Sequence, residues 1–263
     1  MTTKPSNAPW ADEPFKLIAT PSKRLDDSHA SVYCASEMAH AHNIIIRGLN
    51  AIIQQAPHVR DSADQNYNAQ DVADLLAYVQ SWTKVIDHHH SVEESTMFPA
   101  LNKFSGNPDL MNEACHQHGL FHAGLEQLLA YASTTEPEHY RWAGEGGMKA
   151  IIDSFSKDLT DHLYAEIDQF LQMDNLGSAG LRETWEQAEA VAKRAGSLGM
   201  LYDVFPFVLG CADKTYEGGT EFPPLPAVLP YLVKYVFAAR NGAWRFNPCD
   251  WWGQPRPLAF GPE

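Results

Sequence analysis

Histidines and carboxylates recur four residues apart in this chain: His89 with Glu93, His118 with His122, and His162 with Glu166. Four residues is slightly more than one helical turn, so each pair projects the same way from one helix. His42 lies on an earlier apolar stretch, which brings the set to five histidines and two carboxylates on four expected helices. Imidazole and carboxylate groups converging from separate helices describe a metal site in the core of a bundle.

Those side chains need helices to carry them. The first is expected over residues 28–55, where the Ala56-Pro57 step ends it. The second opens at Asn68, a capping residue, and runs to Phe98, where Pro99 disrupts or ends it. The third is capped by Asn107, with Pro108 at its first position, and runs to Tyr131. The fourth spans about 147–174, and residues 180–195 form a further helix. No strand alternation persists, so the expected fold is all-α. The expected organisation is an N-terminal arm (1–27), a four-helix bundle (28–174) and a helical and irregular C-terminal extension packing on the bundle (175–263).

The decisive question is whether the ligands share the inward faces. The first helix has an apolar stripe of Met38, His42, Ile45, Leu49 and Ile52. The second gives Leu75, Val79, Trp82, Ile86, His89, Glu93 and Met97. The third gives Met111, Cys115, His118, His122, Leu125 and Leu129, and the fourth Ile152, Phe155, Leu159, His162, Glu166 and Phe170. Every step is three or four residues, the period of one helix face. One histidine on such a face is ordinarily a core residue with a satisfied hydrogen bond. Seven ligand-type residues on four faces are different, because two buried carboxylates need a compensating charge.

His40, His88 and His116 lie off these stripes and are expected to be partly exposed. His90 with Glu94 repeats the four-residue spacing one position later. Stripe quality favours His89 with Glu93, because Thr83 on the alternative stripe is less apolar than Trp82, and the alternative stays open. Cys115 is expected to be a small buried hydrophobe one turn before His118. Lys84, Asp87 and Asp158 are candidates to orient the imidazoles, with surface ion pairing as their default role.

The order His, His…Glu, His…His, His…Glu on four successive helices resembles the hemerythrin-like, or HHE cation-binding, family. HHHSVEESTMFPAL resembles that family's second-helix signature and DHLYAEI its fourth. HNIIIRGLNAI, FPPLP and GAWRFNPCD are similar to fungal members with a C-terminal extension. The resemblance implies a hemerythrin-like bundle holding two iron ions in a non-haem, carboxylate-bridged centre. His118, His122 and His162 would bind one iron, His42 and His89 the other, with Glu93 and Glu166 bridging. Classical oxygen-carrying hemerythrins place an aspartate five residues after the fourth-helix histidine. Glu166 stands four residues on, as in the broader HHE group, which points away from simple oxygen carriage.

The expected function is therefore a di-iron protein that reacts with O2, an oxygenase or oxidase of a small organic molecule. The alternative is a protein that binds O2 or NO reversibly, or senses iron or oxygen. In the first reading the aromatic tail could roof a substrate pocket, with Trp244, Trp251 and Trp252 as lining, though a structural lid that buries apolar bundle surface is its default role. The chain has 263 residues and a formal net charge of −14, with no basic cluster, so neither nucleic acid nor an anionic membrane is an expected partner. No apolar run is long enough to span a membrane. Scattered Cys34, Cys115, Cys211 and Cys249 and the absence of a signal-like leader suit a reduced, cytoplasmic chain. The oligomeric state is left open.

Overall fold

The structure, a computed structural model, describes residues 10–194, 200–239 and 241–262. Its bundle is formed by α1 (Ala30–Gln55), α2 (Ala69–Val92), α4 (Asn112–Thr134) and α5 (Met148–Leu171). A shorter α3 (Phe98–Ser105) continues the line of α2 after a five-residue π-helical segment, Glu93–Met97. No strand occurs among the described residues, only an isolated bridge between Cys249 and Pro255.

Local chemistry accounts for the helix ends. Asn68 caps α2 by accepting from the Gln70 N–H at 2.9 Å. Pro99, expected to disrupt or end this helix, does not stop the rod, which continues to Ser105. The proline ring pushes away the carbonyl four residues back, and the preceding turn widens so that Phe98 N–H bonds to Glu93 O. The true stop is Gly106, in the left-handed region at φ 70°. The next helix also starts later than expected. Asn107 does not cap it but accepts from Asp109 N–H at 3.0 Å, making a turn. Asn102 on α3 then holds this turn through Pro108 O (2.8 Å) and Met111 N–H (3.1 Å), so α4 begins at Asn112.

α1 is buried almost all round because it is covered from several sides. The arm beyond its first nine residues, which lie outside the described residues, is strapped along it. Asn43 exchanges hydrogen bonds with the Ile18 main chain (2.8 and 2.9 Å), and Asn50 holds Phe15 N–H and Ala11 O (3.0 and 2.8 Å). These bonds satisfy two buried amides that would otherwise weaken the core.

The extension adjoins the arm, with Thr20 N–H donating to Glu217 at 2.9 Å and Trp10 Nε1–H to Arg256 O at 2.7 Å. α6 (Ser178–Arg194) packs on α1 and α3, and α7 (Met200–Cys211) packs on α1 and α2. A short α8 (Leu229–Leu232) runs into a second π-helical segment, Val233–Phe237, against α7. A 3-10 turn, Gly242–Phe246, rests on α2. The docking depends on Gly48 of α1. A Cβ there would lie 2.4 Å from Phe207 Cζ and 2.6 Å from Trp82 Cδ1, and both rings are fully buried.

Gly48→Ala tests this contact. Overpacking costs up to about 3 kcal/mol, and alanine recovers about 1 kcal/mol of helix propensity. A net loss of about 2 kcal/mol should lower the melting temperature by roughly 4–8 °C. An unchanged or higher melting temperature would show that α7 does not sit this close to α1.

Candidate metal centre

The four bundle helices bring a tight set of imidazoles and carboxylates together at mid-length. His42 of α1 and His162 and Glu166 of α5 lie on the stripes read from the sequence, and all three are buried. α2 contributes two adjacent histidines. Consecutive helical residues point about 100° apart, and the line from Ile86 to Glu93 runs between His89 and His90. His89 therefore turns to His42, with Nε2 atoms 3.1 Å apart. His90 turns the other way, its ring 4.1 Å from that of His118. Two groups result, sharing Glu93. Ligand atoms of His90, Glu93, His118 and His162 all lie within 4.8 Å of one another, as do those of His42, His89 and Glu93.

The hydrogen bonds around the set fix its electronic character. His42 Nδ1–H donates to Leu163 O at 2.8 Å, and His162 Nδ1–H donates to Gln117 Oε1 at 3.1 Å. His118 Nδ1–H donates to Glu94 Oε1 at 2.7 Å. Each partner selects the tautomer that leaves the Nε2 lone pair facing inward. The inward Nε2 atoms of His42, His118 and His162 then face other nitrogens and oxygens as acceptors. His118 and His162 Nε2 are 3.1 Å apart, and His42 Nε2 is 3.2 Å from Glu166 Oε2. His89 Nε2 lies 3.0 Å from Glu93 Oε1, and His118 Nε2 3.5 Å from Glu93 Oε2. None of the four carboxylate oxygens of Glu93 and Glu166 takes part in a hydrogen bond, nor does His90 Nε2.

The titration behaviour follows from this crowding. Burial, then the neighbouring His42 and His118, push His89 well below the ordinary imidazole value. Burial and His89 do the same to His90, and burial and His118 push His162 down to about 2. Burial and the facing Glu166 raise Glu93 well above the ordinary carboxylate range. The imidazole nitrogens and the two buried carboxyl groups, whose four oxygens have no hydrogen-bond partner, form a donor set for divalent cations. Leaving each buried charge uncompensated would cost several kcal/mol, on the order expected for an unpaired interior ion.

His122 is not brought into this set. Its side chain is 60% exposed and lies 3.3 Å from Glu126 Oε1, on the outer side of α4. The buried stripe of α4 is Met111, Ala114, His118, Phe121, Leu125 and Leu128, one position off the stripe read from the sequence at several steps beyond Met111. Phe121 explains the roll. It sits three residues from His118, on the same face, and burying its ring contributes about 2–3 kcal/mol. His122 and Cys115 are thereby turned outward, and Cys115 is exposed rather than buried. The orienting groups also differ from those expected. Lys84 pairs with Asp203 at 3.0 Å, and Asp87 and Asp158 are exposed; Glu94, Gln117 and the Leu163 carbonyl hold the imidazoles. His40 and His88 are half-buried and His116 is exposed, outside the cluster as their stripes imply.

Two cavities flank the cluster. An apolar chamber of about 660 Å³ lies over α1 and α2 beside His89, walled by Ile44, Val85, Val204, Phe205 and Val208 and bordered by Phe222 and Pro224 to Pro226. The extension roofs this chamber, through α7 and the FPPLP segment. Trp244, Trp251 and Trp252 do not line it: Trp244 and Trp251 border a separate shallow cleft, and Trp252 packs edge-on against Tyr231. A second cavity of about 600 Å³ lies between α2 and α4 beside His90 and His118, and polar side chains make up much of its wall.

The comparisons with known proteins agree with this architecture. Residues 35–173 match the hemerythrin HHE cation binding domain, and the chain belongs to that family. It is also 40% identical over 258 residues to the dimeric xanthone biosynthesis cluster protein R11 of Cryptosporiopsis sp. (strain 8999), covering 96% of this chain and 94% of that one. A match of that extent takes in the extension as well as the bundle. No solved structure matches the chain.

Elemental analysis separates the two ligand assignments. His90→Ala should lose at least half of the bound metal, and His122→Ala should keep all of it. The reverse pattern would restore the assignment read from the sequence. Metal removal has its own signature: binding at about 1,000 times Kd stabilises by about 4 kcal/mol, so chelation should lower the melting temperature by roughly 10 °C. Equal melting temperatures with and without chelator would mean that the cluster takes no cation.

Proposed function

We propose that this chain is a non-haem di-iron oxidoreductase that reacts with O2 and acts on a small apolar organic molecule held in the chamber beside His89. The observation that carries the reading is the join between chamber and cluster. His89 is the one imidazole of the set with appreciable exposure, 18% of its side chain, and it lines the chamber. On the geometry described, His90, His118 and His162 would hold one iron, His42 and His89 the other, with Glu93 and Glu166 between them. The chamber-side position has two nitrogen ligands against three, and so has room for a further ligand. Iron fits imidazole and carboxylate donors of this kind. Bound ferrous iron would supply electrons to O2, and O2 would supply the oxidising equivalents directed at the substrate.

The chain's own residues do the rest. Val85, Val204, Phe205 and Val208 exclude water from the substrate side of the cluster. Glu94, Gln117 and the Leu163 carbonyl hold the imidazoles in one tautomer while the metal charge changes. A cavity of 660 Å³ lies within the range that holds drug-sized molecules. The relative's place in a dimeric xanthone cluster favours a fused aromatic substrate of that size. A reversible carrier of O2 has no use for such a chamber. That no helix among the described residues is long and apolar enough to cross a membrane accords with a substrate drawn from solution.

Stopped-flow absorption of the ferrous-loaded protein mixed with O2 tests the reading. Oxidation should be irreversible, and xanthone as a probe should change its rate. Val204→Trp should fill the chamber and abolish the xanthone effect while leaving iron content intact. Full spectral recovery under vacuum would defeat the oxidoreductase and favour reversible binding.

A further inference from the structure

The second cavity, between α2 and α4, differs from the chamber in kind. Asp87, Glu94 and Glu126 line it, with His122 and Cys115, and no lysine or arginine does so among the described residues. His90 and His118 also line it, and both are more than nine-tenths buried. His90 Nε2 has no hydrogen-bond partner. The groove therefore joins solvent-facing carboxylates to an unpartnered buried imidazole of the cluster.

A divalent cation can reach the cluster only along a route that replaces its hydration in steps, because an apolar passage leaves the ion without ligands. The chamber wall is mostly apolar. The polar groove offers ligands at successive depths. At the rim, His122 Nε2 and Glu126 Oε1 stand 3.3 Å apart with 60% and 70% of their side chains exposed, an imidazole and a carboxylate four residues apart on one helix face. Further in, Glu94 is half exposed, with 49% of its side chain accessible, and already touches the inner ring by accepting from His118 Nδ1–H at 2.7 Å. At the end stand His118 and His90.

We propose that this groove is the loading port through which divalent metal ions enter the centre, with His122 and Glu126 as a transient outer ligand pair and Glu94 as the relay to the His90–His118 side. The port rests on the metal-centre reading and not on any substrate. It gives His122 a role that its exposed position allows: it handles the ion in transit and releases it. The carboxylates attract cations at a distance, so entry should slow as salt rises.

The experiment is uptake of Co2+ by the chelator-stripped full chain, followed by visible absorption in stopped flow under anaerobic conditions. His122→Ala with Glu126→Gln should slow uptake at least fivefold, with the same final amount of cobalt and the same final spectrum. The control is Glu186→Gln on α6, a residue outside the groove lining, which removes an equal charge and should load at the wild-type rate. Uptake by the double variant within twofold of wild type overturns the port. A loss of bound cobalt at equilibrium also overturns it, because His122 would then be a resident ligand. A wild-type chain that takes up no cobalt overturns the metal centre and the port together.

Discussion

At the middle of the bundle, atoms that repel one another are held within about van der Waals distance. Glu93 and Glu166 present four oxygens with no hydrogen donor, and the imidazoles around them present lone pairs. Outward hydrogen bonds from His42, His118 and His162 enforce this orientation. A cation between those atoms turns the repulsion into attraction. The surrounding fold supplies the opposing force: four long helices, a strapped N-terminal arm and an extension that closes the side along α1. The stable core holds the donors in an arrangement they would not adopt alone, which is how a protein prepares a site for its metal.

Much of this is legible in the sequence, and unevenly so. The stripe of α5 is legible because its buried residues keep to one face, and that of α1 because His42 falls in step with Met38, Ile45, Leu49 and Ile52, although α1 is buried on nearly every side. α4 is ambiguous because His118 shares a face equally with the residue three positions on and the residue four positions on. Ligand spacing favours the histidine, and the bulk of Phe121 decides for the other. α2 poses a different difficulty. His89 and His90 read as rivals on a helical stripe, whereas the centre of the stripe passes between them and both face the core cluster. Glu94 and Gln117 are beyond reach because their roles arise only between helices. The same holds for the chamber roof: Phe222 to Pro226 has no periodicity, so nothing local says what it covers.

On the proposed reading, the two flanks of the cluster would divide the traffic. One side is mostly apolar and bordered by the extension; the other carries Asp87, Glu94 and Glu126 between α2 and α4. Such a division keeps organic molecules and hydrated ions from competing for one entrance. It also gives the extension a reason to be retained alongside the bundle, since without α7 and the FPPLP segment the His89 side would open to water. The shared identity with the fungal relative over both parts of the chain fits one working unit.

The π-helical segment at Glu93–Met97 has a consequence for the molecule's mechanics. A helix turns about 100° per residue, so the wider turn sets the phase of α3 relative to α2. Above it, the rod aims ligands into the bundle. Below it, Leu101 faces the core and Phe104 meets α6 at Gly180, where a Cβ would approach the ring to 2.5 Å. One widened turn thus acts as a phase coupler between the cluster and the seat of the extension. Deleting Ser95 or Thr96 would swing the lower rod by roughly a quarter turn or more, unseating α6 while every ligand remained in the chain.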